Sequence, residues 1–274
     1  MRKLFQFIKV VLIGGPAAIY YHIFYMCRYA RHPEKYPFEK RYKMARKEIS
    51  FIINRFHPDY KIKNLDLFTN LNEKCLIISN HLAFQDPLSL ISVSEKPLTF
   101  VCKKEVFKMP FVGKIAKAID CFPLDRENLM NQIAQIRDIV SYLKDPNKPS
   151  VLIFIEGTRS LHPENDPLEF HPGTLKIAQM AGVPIIVTAT YGSFRVLDMK
   201  SYLRKYPVFY NLTRVIPKDE VKAQVTTEFA LALHKEISDE VNLLRKEDKN
   251  YIENLKISKK RKALETAVDI RANS

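Results

Sequence analysis

The sequence predicts an α/β fold: one folded body behind an N-terminal helical segment that anchors it to a membrane. Three observations carry this reading. Short continuous apolar runs alternate with helix-patterned stretches through the middle of the chain. The most hydrophobic stretch runs from Leu4 to Met26, at the N-terminus. The positive charge is terminal: residues 1–63 hold 14 Lys/Arg against 4 Asp/Glu and residues 245–274 hold 9 against 5, whereas residues 64–244 hold 21 of each.

Taken in chain order, the first element is LFQFIKVVLIGGPAAIYYHIFYM. It is long enough to cross a bilayer, but Lys9 interrupts it and Gly14-Gly15-Pro16 breaks it at the middle. It reads as a kinked transmembrane helix, as two half-helices in one leaflet, or as a signal peptide led by Arg2-Lys3. The early break at Lys9 and the lack of a small-x-small cleavage site favour an uncleaved anchor. Arg28, Arg31, Lys35, Lys40, Arg41, Lys43, Arg46 and Lys47 follow. A juxtamembrane basic cluster of this kind suits an anionic phospholipid membrane and places the chain on its cytoplasmic face. Residues 38–56 predict an amphipathic helix, through Phe38, Tyr42, Ala45, Ile49, Ile52, Ile53 and Phe56. Its apolar stripe fits either a membrane or the main body. The expected division is residues 1–63 as membrane-anchoring helices, 64–245 as the main folded domain and 246–274 as a basic tail containing Lys259-Lys260-Arg261-Lys262.

In the middle, strands are predicted at Cys75–Ser79, Leu98–Cys102, Val151–Ile155 and Pro184–Thr190. Helices are predicted over about 128–143, 174–181 and 222–244, the second stopped by Gly182. The chain is 46% hydrophobic, so it has material for a core and is no disordered polyelectrolyte. Its net charge of +14 does not point to nucleic acid, because the excess avoids the folded middle. Cys27, Cys75, Cys102 and Cys121 show no paired spacing, which argues against a disulfide framework or structural zinc.

Two runs carry candidate chemistry. In CLIISNHLAFQDP, a strand leads into Asn80, His81 and Asp86. A continuous helix would rotate His81 and Asp86 about 500° apart, so a turn must bring them together. Pro87 favours a helix start there, with Asp86 at the N-cap. The carboxylate then either orients the imidazole as in a His–Asp pair or only caps the helix. In SVLIFIEGTRS, a strand ends before Glu156-Gly157-Thr158-Arg159-Ser160. A glycine turn with an arginine suits an anion, and also suits an ordinary surface turn.

Together, Asn80-His81-x4-Asp86 and Phe154-x-Glu156-Gly157-Thr158-Arg159-Ser160 resemble the glycerolipid acyltransferase family. Phe122-Pro123-Leu124-Asp125-Arg126 resembles its second block and Val183-Pro184-Ile185-Ile186 its fourth. The segment with Lys103-Lys104-Glu105, Pro110 and Gly113 is similar to another. Three positions depart from the pattern: Asp120 replaces a common glycine, Ile155 a proline and Val187 a later proline. The resemblance implies a single mixed sheet with helices on its faces. It further implies acyl transfer from acyl-CoA or acyl-carrier protein, as co-substrate, to lysophosphatidic acid, with no cofactor and no metal. His81 would be the base, Asp86 its orienter and Asn80 a candidate oxyanion donor. Lys103, Arg126 and Arg159 would meet the phosphate, with Glu156, Gly157 and Thr158 lining the acceptor site. Another acceptor (glycerol 3-phosphate or a different lysophospholipid) and a non-catalytic membrane-binding protein of the same fold are the alternatives.

Overall fold

The computed structural model describes residues 12, 15–125, 128–197 and 205–254. Seven strands form one sheet: β1 (Pro58–Lys63), β2 (Leu76–Ser79), β3 (Leu98–Lys103), β4 (Phe122–Leu124), β5 (Ser150–Phe154), β6 (Ile185–Tyr191) and β7 (Tyr206–Ile216), in the order β1-β7-β6-β2-β5-β3-β4. The run from β6 to β4 is parallel. β7 is antiparallel to β6 and parallel to β1, so the sheet is mixed as expected. Among the described residues the α-helices from Cys27 onward are α1 (Cys27–Arg31), α2 (Phe38–Ile53), α3 (Asp66–Thr69), α4 (Asp86–Val93), α5 (Val112–Ala118), α6 (Leu129–Lys144), α7 (Pro172–Ala181), α8 (Lys218–Ala223) and α9 (Thr226–Glu253).

The sheet is covered on both faces, which is why β2, β5 and β6 are wholly buried and read as unbroken apolar runs. Alternate residues divide between two cores. Leu76, Ile78, Ile153 and Ile185 pack with Leu143 of α6, Leu175 of α7 and Leu233 of α9. Ile77, Leu152 and Ile186 pack with Ile49 of α2, Ile91 of α4 and Ile115 of α5. The stripe of α2 thus faces the folded body and not a membrane.

Both expected domain boundaries fall inside this body. The one at residue 63 closes a strand hydrogen-bonded to β7. The one at 245 lies within α9, where Asp248 is buried and pairs bidentately with Arg195 at 2.7 and 2.8 Å. The helix expected over 222–244 is two helices, because the chain turns extended at Gln224–Val225. The Gln179 amide of α7 donates to the carbonyls of Val221 and Gln224 and seals that break. α6 is capped by Asn128, whose side chain accepts from the Asn131 amide, and α7 ends at Gly182 with φ +69°.

At the N-terminus, Ile19, Tyr20, Ile23 and Phe24 are exposed. Among the described residues no helix is long and apolar enough to cross a membrane. Residues 1–11, 13 and 14 and the run at 259–262 lie outside the described residues.

Candidate active site

The parallel strands β6, β2, β5, β3 and β4 all end at one edge, where α/β sheets commonly bind ligands. Asn80 leaves β2 there with its side chain turned sideways. Its Oδ1 accepts from the Thr190 amide at 2.8 Å and its Nδ2 donates to the Thr190 carbonyl at 3.0 Å. The amide therefore continues the β2–β6 ladder by one side chain. Being wholly buried in this role, it is not the oxyanion donor expected of it.

Fixed exit from β2 directs His81 to the edge. Its Nδ1 lies 2.7 Å from Asp86 Oδ2, and the ring stacks on Phe154 at 4.0 Å and 18°. The same carboxylate oxygen accepts from the amides of Leu82 and Ala83, each at 2.9 Å. The two amides and the imidazole nitrogen converge on one oxygen. They also correct the expected cap: Gln85 holds the N-cap of α4, Asp86 begins the helix, and its carboxylate folds back onto the preceding loop. With Nδ1 facing a carboxylate oxygen, the tautomer that carries its proton on Nδ1 is favoured, which leaves Nε2 without one.

The second run holds the first in place. Glu156 Oε1 accepts from the His81 amide at 2.5 Å, and Oε2 accepts from the Leu168 amide at 2.7 Å. The Ser160 amide donates to the His81 carbonyl at 2.8 Å. His81 is thus clamped on both main-chain sides by the segment following β5. Burial pushes the Glu156 carboxyl up to about 7, although the two amides pull it down. Its oxygens are occupied by main chain, so Glu156 supports the site and does not line it. Gly157 takes φ +67° and donates its amide to the Phe154 carbonyl, leaving Thr158 and Arg159 exposed on the turn.

Lys103 is exposed at the end of β3, across β5 from β2, while Lys104 pairs with Asp125 at 2.9 Å. Arg126 lies outside the described residues. Sequence reasoning missed Phe154 as the stacking partner and Thr190 as the partner of Asn80. Among the described residues no group of three or more His, Cys, Asp or Glu side chains is arranged to hold a metal.

The departures from the family pattern have local reasons. Asp120 sits at φ +53°, where glycine is favoured. Its carboxylate is held by Arg41 of α2 at 2.6 and 3.0 Å, and Arg41 also donates to the Ala118 carbonyl. The amide of Ile155 donates to the Ser79 carbonyl at 3.1 Å, a ladder bond that proline cannot make.

A mixed α/β sheet with a carboxylate-backed histidine at its parallel edge is an arrangement suited to general-base chemistry. An acyltransferase family model matches residues 57–190. The probable 1-acyl-sn-glycerol-3-phosphate acyltransferase of Mycoplasma genitalium is 34% identical over 191 residues, 66% of this chain and 66% of that protein. Its Mycoplasma pneumoniae counterpart is 33% identical over 186 residues, 66% of this chain and 67% of that one. The chain thus spans about two thirds of the length of both relatives. The crystal structure of the 1-acyl-sn-glycerophosphate acyltransferase PlsC from Thermotoga maritima superposes with a TM-score of 0.62 at 19% identity, over 88% of this chain and 98% of that one, which establishes the shared fold. The protein is an acyltransferase. It belongs to the glycerolipid acyltransferase family.

Proposed function

We propose that the enzyme transfers an acyl chain from a thioester to the 2-hydroxyl of 1-acyl-glycerol-3-phosphate, giving phosphatidic acid. The observation that carries this reading is the His81–Asp86 pair, with Nδ1 on the carboxylate, at the end of the parallel strands where Arg159 and Lys103 stand exposed. The relatives named for this reaction support the choice of acceptor. His81 Nε2 takes the proton of the acceptor hydroxyl as its oxygen attacks the thioester carbonyl. The tetrahedral intermediate collapses, the C–S bond breaks, and His81 returns the proton to the departing thiolate. Asp86 holds the tautomer and stabilises the imidazolium between these steps.

Attack is direct. Cys75 is wholly buried and its thiol is pushed up to about 12 by that burial, unlike an activated nucleophile. Lys103, Arg126 and Arg159 recognise the phosphate, Thr158 borders it, and Glu156 and Gly157 shape the turn beneath it. The thioester arrives activated, so the reaction calls on no resident cofactor or metal. Acyl-CoA or acyl-carrier protein supplies the chain.

The enzyme works at the cytoplasmic face of an anionic phospholipid membrane. The exposed Ile19, Tyr20, Ile23 and Phe24, with Arg28 and Arg31 close behind, suit that surface. Purified enzyme in mixed micelles, given both thioester types and lysophosphatidic acid, glycerol 3-phosphate or other lysophospholipids, should form phosphatidic acid fastest. Preference for another acceptor, or no turnover with any pair, would overturn the reading.

A further inference from the structure

α4 carries three polar residues at helical spacing, Asp86, Ser89 and Ser92, and turns them into the sheet. Opposite them stand Tyr210 of β7, which pairs in register with Thr190 of β6 and Ile62 of β1, and Tyr60 of β1. The two tyrosine rings lie 6.4 Å apart. Ser92 Oγ donates to the Ser89 carbonyl at 2.7 Å and lies 3.2 Å from the Tyr60 hydroxyl. Asp86, Ser89, Thr190 and Tyr210 are all wholly buried. A polar layer therefore runs through the apolar core directly behind the His81–Asp86 pair.

Three atoms of this layer complete no hydrogen bond: Asp86 Oδ1, Ser89 Oγ and Tyr210 Oη. They are two hydroxyl donors and one carboxylate acceptor, and a small side-chain rotation bringing them within hydrogen-bond reach satisfies all three. Burial above all, then the charges of Asp86 and Tyr60, keep the Tyr210 hydroxyl protonated far above its ordinary range, while the neighbouring Ser89 and Thr190 hydroxyls act the other way. A buried carboxylate oxygen without a donor is costly, and a cluster of such atoms beside a functional group calls for an explanation.

We infer that Tyr210 and Ser89 are positioning residues for the transfer reaction, Tyr210 donating to Ser89 and Ser89 to Asp86 Oδ1, so that the carboxylate orienting His81 is held at both oxygens. The inference rests on the reading of His81 as the base. Without the relay, Asp86 turns about the bond to Oδ2 and holds the imidazole less well. The carboxylate also keeps more of its charge and binds the imidazolium proton more tightly. The titratable groups facing the pair are Asp86 from α4, Glu156 from the turn after β5, Tyr210 from β7 and Tyr60 from β1. Glu156 touches His81 and not Tyr210, so its contribution is common to the parent enzyme and the Tyr210 variant.

The test compares full-length enzyme with Tyr210→Phe, Ser89→Ala, the double variant and His81→Ala in one micellar assay across pH. Ser89→Ala should lose about tenfold in kcat, with the acceptor KM unchanged, as for removal of one hydrogen bond to a charged group, and Tyr210→Phe should lose less, because Ser89 still reaches the carboxylate. The acid limb of the kcat/KM profile should move to higher pH. The double variant should be no slower than Ser89→Ala alone, because the two hydroxyls act in series. Parent-like kcat and pH profile in both single variants, or additive losses in the double, would overturn the relay. A change in melting temperature with no change in kcat would do the same. Turnover by His81→Ala would remove the base assignment itself. A dead His81→Ala beside parent-like Ser89→Ala and Tyr210→Phe would remove only the relay.

Discussion

Two histidines in this chain are built alike. His81 Nδ1 lies 2.7 Å from Asp86 and its ring stacks on Phe154 at 4.0 Å; His22 Nδ1 lies 2.8 Å from Glu48 and its ring stacks on Phe111 at 4.1 Å. Both carboxylates are wholly buried. The surroundings differ. Asp86 gathers two further backbone amides at the edge where five parallel strands end, with exposed cations nearby. Glu48 sits in the middle of α2 and burial raises its carboxyl above the ordinary value, although the second oxygen of each carboxylate alike has no partner among the described residues. The pair at His22 ties the N-terminal helical segment to α2. A histidine backed by a carboxylate is therefore not by itself a catalytic unit; the sheet edge and the amides that fix the carboxylate make the difference.

The sharpest way to break this comparison is to neutralise each carboxylate. Asp86→Asn should lower kcat by about 10³-fold, because an amide favours the wrong imidazole tautomer. Glu48→Gln should leave the rate in micelles within about twofold of the parent, since it stands apart from the site. Equal losses in the two variants, measured as initial rates, would erase the distinction.

Glu156 offers the next largest effect. Its carboxyl titrates at about 7 in the folded chain against an ordinary 4.5, so the native state holds the extra proton between those values. Stability should therefore fall as pH rises from about 4.5 to about 7, by roughly 3 kcal/mol from this group. Chemical denaturation at pH 5 and pH 7.5 should show that slope, and Glu156→Gln should flatten it.

Asp120 separates backbone strain from charge pairing. Asp120→Ala keeps the left-handed backbone and strands the buried Arg41, at a cost of about 3 kcal/mol. Asp120→Gly loses the same pair but relieves roughly 1 kcal/mol of strain. Melting curves should rank parent, glycine variant and alanine variant in that order.

The smallest effect belongs to the second histidine. His22→Ala removes the donor to a buried Glu48 and should cost about 1–2 kcal/mol, seen as a few degrees in melting temperature. Its turnover in micelles should stay parent-like.

The sequence made the centre of the sheet legible and its margins obscure. β2, β3, β5 and β6 read as apolar runs because they are covered on both faces. β1 carries Asp59, Lys61 and Lys63 at the sheet's margin, β4 is three residues long with a proline, and β7 is interrupted by Asn211, Thr213 and Arg214, so none signals a strand. The His81–Asp86 pair was legible because its members lie only five positions apart. Asn80 was not, because its partner Thr190 lies 110 residues away. Glu156 looks like a ligand-binding carboxylate in the sequence, and only the fold reveals that it grips the main chain of His81. Its membership in the motif reflects support of the base from beneath.

The central claim is that His81, and not its look-alike His22, moves the proton of the acceptor. The direct measurement is the initial rate of phosphatidic acid formation from labelled thioester and lysophosphatidic acid by parent, His81→Ala and His22→Ala enzymes, each shown to be folded. We predict loss of about 10³-fold or more for His81→Ala and a parent-like rate for His22→Ala. Turnover by His81→Ala near that of the parent would contradict the account.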